Sequence, residues 1–142
     1  MTVDAVVDTP HQVAYREYRL EFPAEADSVF VVRANVRAMC AVWRVPQETT
    51  DVVLLLASEI TTNAVAVSGG EVLRMTLRRV LGLLYFDCND YDPAIPTTPA
   101  MPDAEEPSGR GLALVEALAS TWGWKWPPQE QGKVCWFTLA VR

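Results

Sequence analysis

Two polar side chains interrupt the apolar stretch at residues 54–68, LLLASEITTNAVAVS. Glu59 and Asn63 are four residues apart, the spacing that brings two side chains onto one face of a helix. An Asn carbonyl oxygen is a suitable ligand for a hard cation such as magnesium, and a Glu beside it can accept a proton. The same spacing also suits the solvent-facing side of an amphipathic helix, so the pair alone leaves both interpretations open.

Two further segments carry residues that suit a ligand. Asp90 follows a predicted strand, where its carboxylate can accept a hydrogen bond from a ligand's exocyclic amine; an Asp near a Pro can equally cap a turn. Residues 108–112, SGRGL, place glycines at the start of a predicted helix, where free N–H groups and the helix dipole attract anions. Arg110 adds a full positive charge, so the segment suits phosphate, although the same pattern can simply begin a helix.

Composition and charge restrict the function classes. The 142 residues have a formal net charge of −6, which argues against direct binding of nucleic acid. His11 is the sole histidine, and the three cysteines form no CxxC pair, so neither a Ser-His-Asp triad nor a zinc site is expected. We expect Cys40, Cys88 and Cys135 to be buried, reduced thiols.

The chain shows no targeting or membrane signal by inspection. No apolar run approaches the ~20 residues that span a bilayer, and the acidic N-terminus MTVDAVVDTPHQ lacks the basic region of a secretory signal. The expectation is therefore a cytoplasmic protein that does not contact a membrane.

Hydrophobic periodicity predicts an α+β domain. Residues 1–14 are interpreted as a flexible N-terminal lead-in and residues 15–142 as a single domain. The predicted elements are a strand at 15–22, helices at 24–43 and 47–67, a hairpin of strands at 71–80 and 83–88, a helix at 108–121, and strands at 122–126 and 133–141. This order favours a two-layer α/β sandwich, a mostly antiparallel sheet covered on one face by three helices.

Two further sets of side chains can each be interpreted in two ways. Arg33, Arg37 and Arg44 suit a solvated helix surface, or else a basic ridge that meets an acidic partner. The alternating tryptophans at 122, 124 and 126 are interpreted as part of the core rather than as an interface.

Three motifs in this order resemble a known family. SEITTNAV (58–65) resembles the N box, FDCNDYDP (86–93) the first glycine box and SGRGLALVEALASTWGW (108–124) the second glycine box of the Bergerat-type ATP-binding proteins, which include histidine kinases, DNA gyrase and MutL. The closing GKVCWFTL (132–139) is similar to the usual final strand. The chain looks most like the small actinobacterial-style anti-sigma factor serine/threonine kinases, and the resemblance covers about residues 22–139.

The resemblance implies a role for each candidate residue, with ATP and Mg²⁺ as cofactors. Asn63 would ligate the magnesium that bridges the phosphates, Glu59 would be the general base, and Asp90 would bind the adenine amino group. The ATP-binding residues at the helix start would be Gly109, Arg110, Gly111 and Leu112.

Two functions follow from the resemblance. The first is an ATP-dependent kinase that phosphorylates a Ser or Thr of an anti-sigma antagonist and sequesters a sigma factor; relatives of this kind also form homodimers. The alternative is a non-catalytic regulator of the same fold that binds its partner with nucleotide as a ligand or with none. Glu59 favours the kinase. The residues after Asp90, where relatives carry DxGxG and this chain has Tyr91-Asp92-Pro93-Ala94, favour the alternative, as do the acids Asp103, Glu105 and Glu106 of the predicted lid.

Overall fold

The computed structural model describes residues 2–3, 7–8, 15–94, 107–129 and 131–141, with the backbone alone at 2–3, 7–8 and 107–112. Seven strands and three helices lie in these ranges, and the longer ones agree closely with the predicted elements. In chain order they are β1 (Thr2–Val3), β2 (Val7–Asp8), β3 (Tyr15–Pro23), α1 (Ser28–Val42), α2 (Gln47–Val67), β4 (Val72–Val80), β5 (Leu83–Asp90), α3 (Pro107–Leu118), β6 (Thr121–Lys125) and β7 (Lys133–Ala140).

The described strands form one antiparallel sheet in the order β1-β3-β4-β5-β7-β6, and β2 also pairs with β3. β4 and β5 form the predicted hairpin, and the closing strand β7 lies beside β5 rather than at the edge of the sheet. Because β5 and β7 are neighbours, the end of the hairpin meets the start of the last strand. This pairing determines which residues surround the candidate site.

The two faces of the sheet differ in character. Most inward residues of β3, β4, β5 and β7 are buried and apolar, whereas the opposite face carries charged side chains such as Glu17, Arg19 and Arg78. This alternation confirms the predicted α+β fold with three helices covering one face. The largest fully buried side chains of the sheet are Leu20, Phe22, Leu73, Met75, Leu77, Leu84, Phe86 and Phe137.

α2 is the central helix of the helical layer, since it contacts α1, α3, β5 and β7. Pro46 precedes its first turn, and it ends at Val67, with Ser68 as its C-cap. Gly70 then adopts a φ of 87°, a left-handed conformation that glycine accommodates without steric conflict. The predicted bounds of this helix are confirmed.

The expectation that no apolar segment approaches the length of a membrane span needs correction at α2. By length and composition alone it could cross a membrane, because 18 of its residues have a mean hydropathy of 1.4; it is the single such helix in the described ranges. Within the domain, 44% of that window is buried, and buried residues such as Val53, Leu56 and Ala57 pack in the core. Packing in the core therefore accounts for part of the apolar composition of α2.

Two short strands lie within residues 1–14, the segment interpreted as a flexible lead-in. Thr2–Val3 and Val7–Asp8 pair antiparallel with opposite ends of β3, the first with Leu20 and Glu21 and the second with Arg16 and Glu17. Each of these strands is two residues long, which is too short to show the alternation of apolar and polar residues that predicts a strand.

The remaining side-chain interpretations have mixed outcomes. The three cysteines are free and buried, as expected. Trp122 and Trp124 pack against the core, whereas Trp126 is 45% exposed, so the interpretation of the tryptophans as core holds for two of the three. Of the arginines, Arg33 is half-buried and donates hydrogen bonds to Ser58 Oγ and to the carbonyl of Leu54, which ties α1 to α2.

Candidate functional site

A cavity of about 230 Å³ lies between α2, the ends of β5 and β7, and β6. Most of its walls are apolar, and it is smaller than the ~300–1,000 Å³ of pockets that enclose a drug-sized ligand, so it suits one flat ring system. Its lining residues are Ile60, Asn63, Ala64, Ala66, Val67, Cys88, Asp90, Trp124, Lys133 and Cys135.

α2 supplies one wall of the cavity and presents Asn63. Ile60 and Ala64 are buried and fix this part of the helix on the sheet, while Asn63 is half-buried. Within the described ranges, the Asn63 amide forms no hydrogen bond, so its carbonyl oxygen is available to a ligand. Asn63 therefore lies at the position that the sequence predicted, on the wall of a cavity.

Glu59 lies one turn earlier on α2. It is half-buried, does not line the cavity, and has no hydrogen-bond or ion-pair partner among the residues that the structure describes. Its carboxylate is thus beside the cavity on the N-terminal side of Asn63. This position suits contact with a group that extends out of the cavity along α2 rather than with one inside it.

Asp90 is the last residue of β5 and is 8% exposed. Its Oδ1 accepts hydrogen bonds from the Lys133 Nζ, at 3.1 Å, and from the Asp92 N–H, at 2.9 Å. Burial raises the pKa of the Asp90 carboxyl above its usual value, and the Asp92 N–H and the Lys133 ammonium offset only part of that rise. Oδ2 accepts no hydrogen bond from the described residues, and it is therefore the oxygen left to a ligand.

Lys133 is a site residue that the sequence reasoning missed. It is 7% exposed, and its Nζ also donates to the Asp92 carbonyl at 2.7 Å. A signal was present in the alternation of the last strand, where Lys133 shares the inward side with Cys135, Phe137 and Leu139. A lysine on that face needs a carboxylate partner, and the register of β5 and β7 places Asp90 opposite it.

Side-chain hydrogen bonds organise the segment after Asp90, where the related motif has glycines. The Tyr91 N–H donates to Ser68 Oγ, and the Ala94 N–H donates to the Asp92 carboxylate. The Trp126 indole donates to the Pro93 carbonyl. The segment is therefore an ordered turn, held by contacts that need no glycine within it.

A glycine is instead required immediately before the neighbouring strand β7. Gly132 has a φ of 86°, and a Cβ at this position would lie 2.0 Å from the Asp90 carbonyl oxygen and 2.8 Å from the Tyr91 Cα. The close approach of the two backbones brings Lys133 beside Asp90. Gly132 thus permits the contact between β7 and the end of β5.

The predicted phosphate segment lies at the start of α3. Pro107 is the first helical residue, a position that proline favours, and Gly109, Arg110, Gly111 and Leu112 follow within the helix. The side chains of these four residues lie outside the described part of the structure. The acidic lid residues Asp103, Glu105 and Glu106 also lie outside the described residues.

The described part of the chain contains no group of three His, Cys, Asp or Glu side chains that could hold a metal ion by itself. Magnesium commonly takes one or two protein ligands and completes its shell with phosphate oxygens and water, so Asn63 fits such an ion when a phosphate ligand is present. The two cavity thiols do not suit metal binding, because burial raises the pKa of Cys135 to about 12 and that of Cys88 well above its usual value. Both therefore stay protonated and act as apolar walls.

Comparison with known proteins adds one match. Residues 22–139 match the family model described as a histidine kinase-like ATPase domain. The match begins in β3 and ends in β7, so it includes α2, β5 and α3, the three elements that carry the predicted site residues. The curated proteins give no match.

Proposed function

The chain belongs to the histidine kinase-like ATPase domain family, and from this premise we propose that it is an ATP-binding regulator that transfers phosphate to a partner protein. The adenine ring would occupy the 230 Å³ cavity, and the phosphates would extend along α2 toward Glu59 and the start of α3. ATP is the substrate, and Mg²⁺ is the cofactor.

One observation carries the proposal. Asn63 of α2 and Asp90 of β5 come from different elements, and both line the same cavity. Asp90 Oδ2 would accept a hydrogen bond from the adenine 6-amino group, while the Asn63 carbonyl would ligate Mg²⁺. The ion would neutralise phosphate charge as transfer proceeds.

Glu59 would be the general base. The hydroxyl oxygen of a partner Ser or Thr forms a bond to the γ-phosphorus, and the bond from that phosphorus to the β–γ bridging oxygen breaks. ADP leaves, and the hydroxyl proton goes to the Glu59 carboxylate. A carboxylate that has no partner among the described residues, beside the cavity rather than in it, suits this role.

The partners in this proposal come from the sequence resemblance. They are an anti-sigma antagonist that accepts the phosphate and a sigma factor that the protein sequesters. A cytoplasmic location, homodimer formation, and the absence of direct nucleic-acid or membrane contact belong to the same proposal.

A second function is favoured by a specific observation. Asp90 Oδ1 is already bound by Lys133 and by the Asp92 N–H, and the turn at 91–94 has no glycine for a close approach of the backbone to a nucleotide. These features favour a non-catalytic regulator that binds a partner protein, with nucleotide as a ligand or with none.

Calorimetric titration with ATP, with and without Mg²⁺, tests the proposal. We expect magnesium-dependent binding that is weakened by at least ~10–100-fold in Asn63→Ala, because a direct metal ligand matters at least as much as its supporting residues do. Thr62→Ala, an exposed neighbour on α2, is the control and should bind as the wild type does. An absence of ATP binding by the wild-type protein would favour the partner-binding module instead.

A further inference from the structure

Lys133 is a buried cation that the proposed roles of Asn63, Glu59 and Asp90 do not use. It lines the cavity beside Asp90, and the register of β5 and β7 makes the two residues direct neighbours. A buried ammonium is unfavourable unless each of its N–H groups donates a hydrogen bond. The acceptor of each Lys133 N–H therefore needs to be identified.

The Lys133 ammonium has three N–H donors. One is directed to Asp90 Oδ1 and one to the Asp92 carbonyl. Within the described ranges the third has no partner, and neither does Asp90 Oδ2. The cavity therefore offers one strong donor and one strong acceptor next to each other, on side chains whose Nζ and Oδ1 atoms are 3.1 Å apart.

The edge of an adenine ring has the complementary pair. The 6-amino group is a donor and the adjacent ring nitrogen N1 is an acceptor, whereas hypoxanthine presents a carbonyl oxygen and an N1–H in the same order. Apart from Asn63, the rest of the cavity is lined by apolar residues, two cysteines and Trp124, so these walls can contact the faces of the ring but provide few other polar contacts to its edge.

We propose that Lys133 is a specificity-determining residue that donates a hydrogen bond to N1 of adenine while Asp90 accepts one from the 6-amino group. This inference rests on the proposed binding of ATP. Lys133 and Asp90 together select adenine, because a hypoxanthine base in the same position would turn its carbonyl toward the carboxylate and its N1–H toward the ammonium. The hydrogen bond from Lys133 would replace part of the backbone contact to the nucleotide that the glycines of the related motif permit.

The test compares ATP with 1-deaza-ATP, in which a C–H replaces N1 and the amino group is retained. Wild-type protein should bind the analogue about 10-fold or more weakly, because the hydrogen bond from the charged Lys133 ammonium to N1 is lost. ITP should also bind more weakly than ATP. The comparison uses the wild-type chain, so it does not depend on the folding of any variant.

Lys133→Met supplies the second arm. It should bind both nucleotides with equal affinity, because the residue that distinguishes N1 from C–H has been removed. Wild-type protein that binds ATP and 1-deaza-ATP equally would overturn the inference, leave the ATP-binding proposal intact, and show that Lys133 serves only as the partner of Asp90. Wild-type protein that binds neither nucleotide would overturn both.

Discussion

Lys133 Nζ lies 3.1 Å from Asp90 Oδ1, and the two residues are direct partners across β5 and β7. Both side chains are nearly buried, so the charge of each is balanced mainly by the other. The shape of the cavity and the stability of this end of the sheet therefore depend on this ion pair.

The contribution of the ion pair to the stability of the fold can be measured by removing Lys133 alone and then both members of the pair. Lys133→Met leaves the Asp90 carboxylate unbalanced and should lower the free energy of unfolding by about 3 kcal/mol, the lower end of the range for breaking a buried pair. The double change Lys133→Met with Asp90→Asn should recover most of this loss, because no buried charge remains. Urea denaturation at neutral pH measures both. A double variant that is no more stable than Lys133→Met would contradict this account.

If Glu59 is the proposed general base, its substitution should separate ATP binding from phosphoryl transfer. Glu59→Gln should leave ATP affinity nearly unchanged and slow phosphoryl transfer by about 10²–10⁴-fold, because the amide cannot take up the hydroxyl proton. Transfer of labelled phosphate from ATP to the proposed antagonist protein measures the rate. Glu48→Gln, an exposed glutamate of the same helix, is the matched control. An undiminished rate in Glu59→Gln would show that Glu59 is not the base.

Alanine substitutions at three glycines distinguish the cost of backbone strain from the cost of a steric clash. At Gly69 an added Cβ would meet no atom within 4 Å. At Gly70 it would also meet none, but the backbone φ is 87°. At Gly132 φ is 86°, and the Cβ would lie 2.0 Å from the Asp90 carbonyl oxygen. We expect the loss of stability on substitution by Ala to rise in that order, with Gly70 near ~1 kcal/mol and Gly132 well above it. Thermal unfolding of the three variants checks the order. A Gly132→Ala variant as stable as Gly69→Ala would refute the close contact between β7 and the end of β5.

Two buried threonines of α2 differ in their hydrogen bonds. Thr50 Oγ1 donates to the Pro46 carbonyl at 3.1 Å, whereas Thr61 Oγ1 is buried with no partner in the described part of the chain. Thr61→Val should therefore be neutral or raise the unfolding free energy by about 1 kcal/mol, while Thr50→Val should lower it by about 1 kcal/mol. Denaturant midpoints measured at equal m-values test the difference. A clear loss in Thr61→Val would mean that its hydroxyl has a partner after all.

The carboxyl group of Glu17 should account for part of the loss of stability at acid pH. Burial favours a higher pKa for its carboxyl, but hydrogen bonds from Arg78 and Tyr15 and the nearby charges of Arg78 and Arg19 outweigh it and lower the pKa from the usual value of 4.5. Because its pKa is lower in the folded state, Glu17 contributes stability above pH 4.5 that is lost as the pH falls through the folded pKa.

Glu17→Gln should therefore be less stable than wild type at neutral pH and should lose less stability on acidification below that value. Melting temperatures along a pH series give the comparison. Glu21→Gln, which removes a carboxylate from the same strand and face but leaves these contacts in place, is the control. An acid limb identical to that of the wild type would rule out this role for Glu17.

The sequence by itself determined the regular elements and the residues of α2 that suit chemistry. The apolar period of α2, its start after Pro46 and its end before Gly69 depend on residues close together in the chain, so they predicted the bounds Gln47–Val67. The same local information placed Glu59 and Asn63 on one helix and Asp90 at a strand end.

The tertiary structure alone decided which of these residues share a cavity. Asn63 and Asp90 line it and Glu59 lies beside it, a distinction that depends on how α2 packs on β5. Lys133 joins Asp90 across 43 residues of sequence, through a strand pairing that the closing motif did not specify. Helical and strand periods are local properties, whereas this contact depends on the order of strands in the sheet and on the space that Gly132 leaves open.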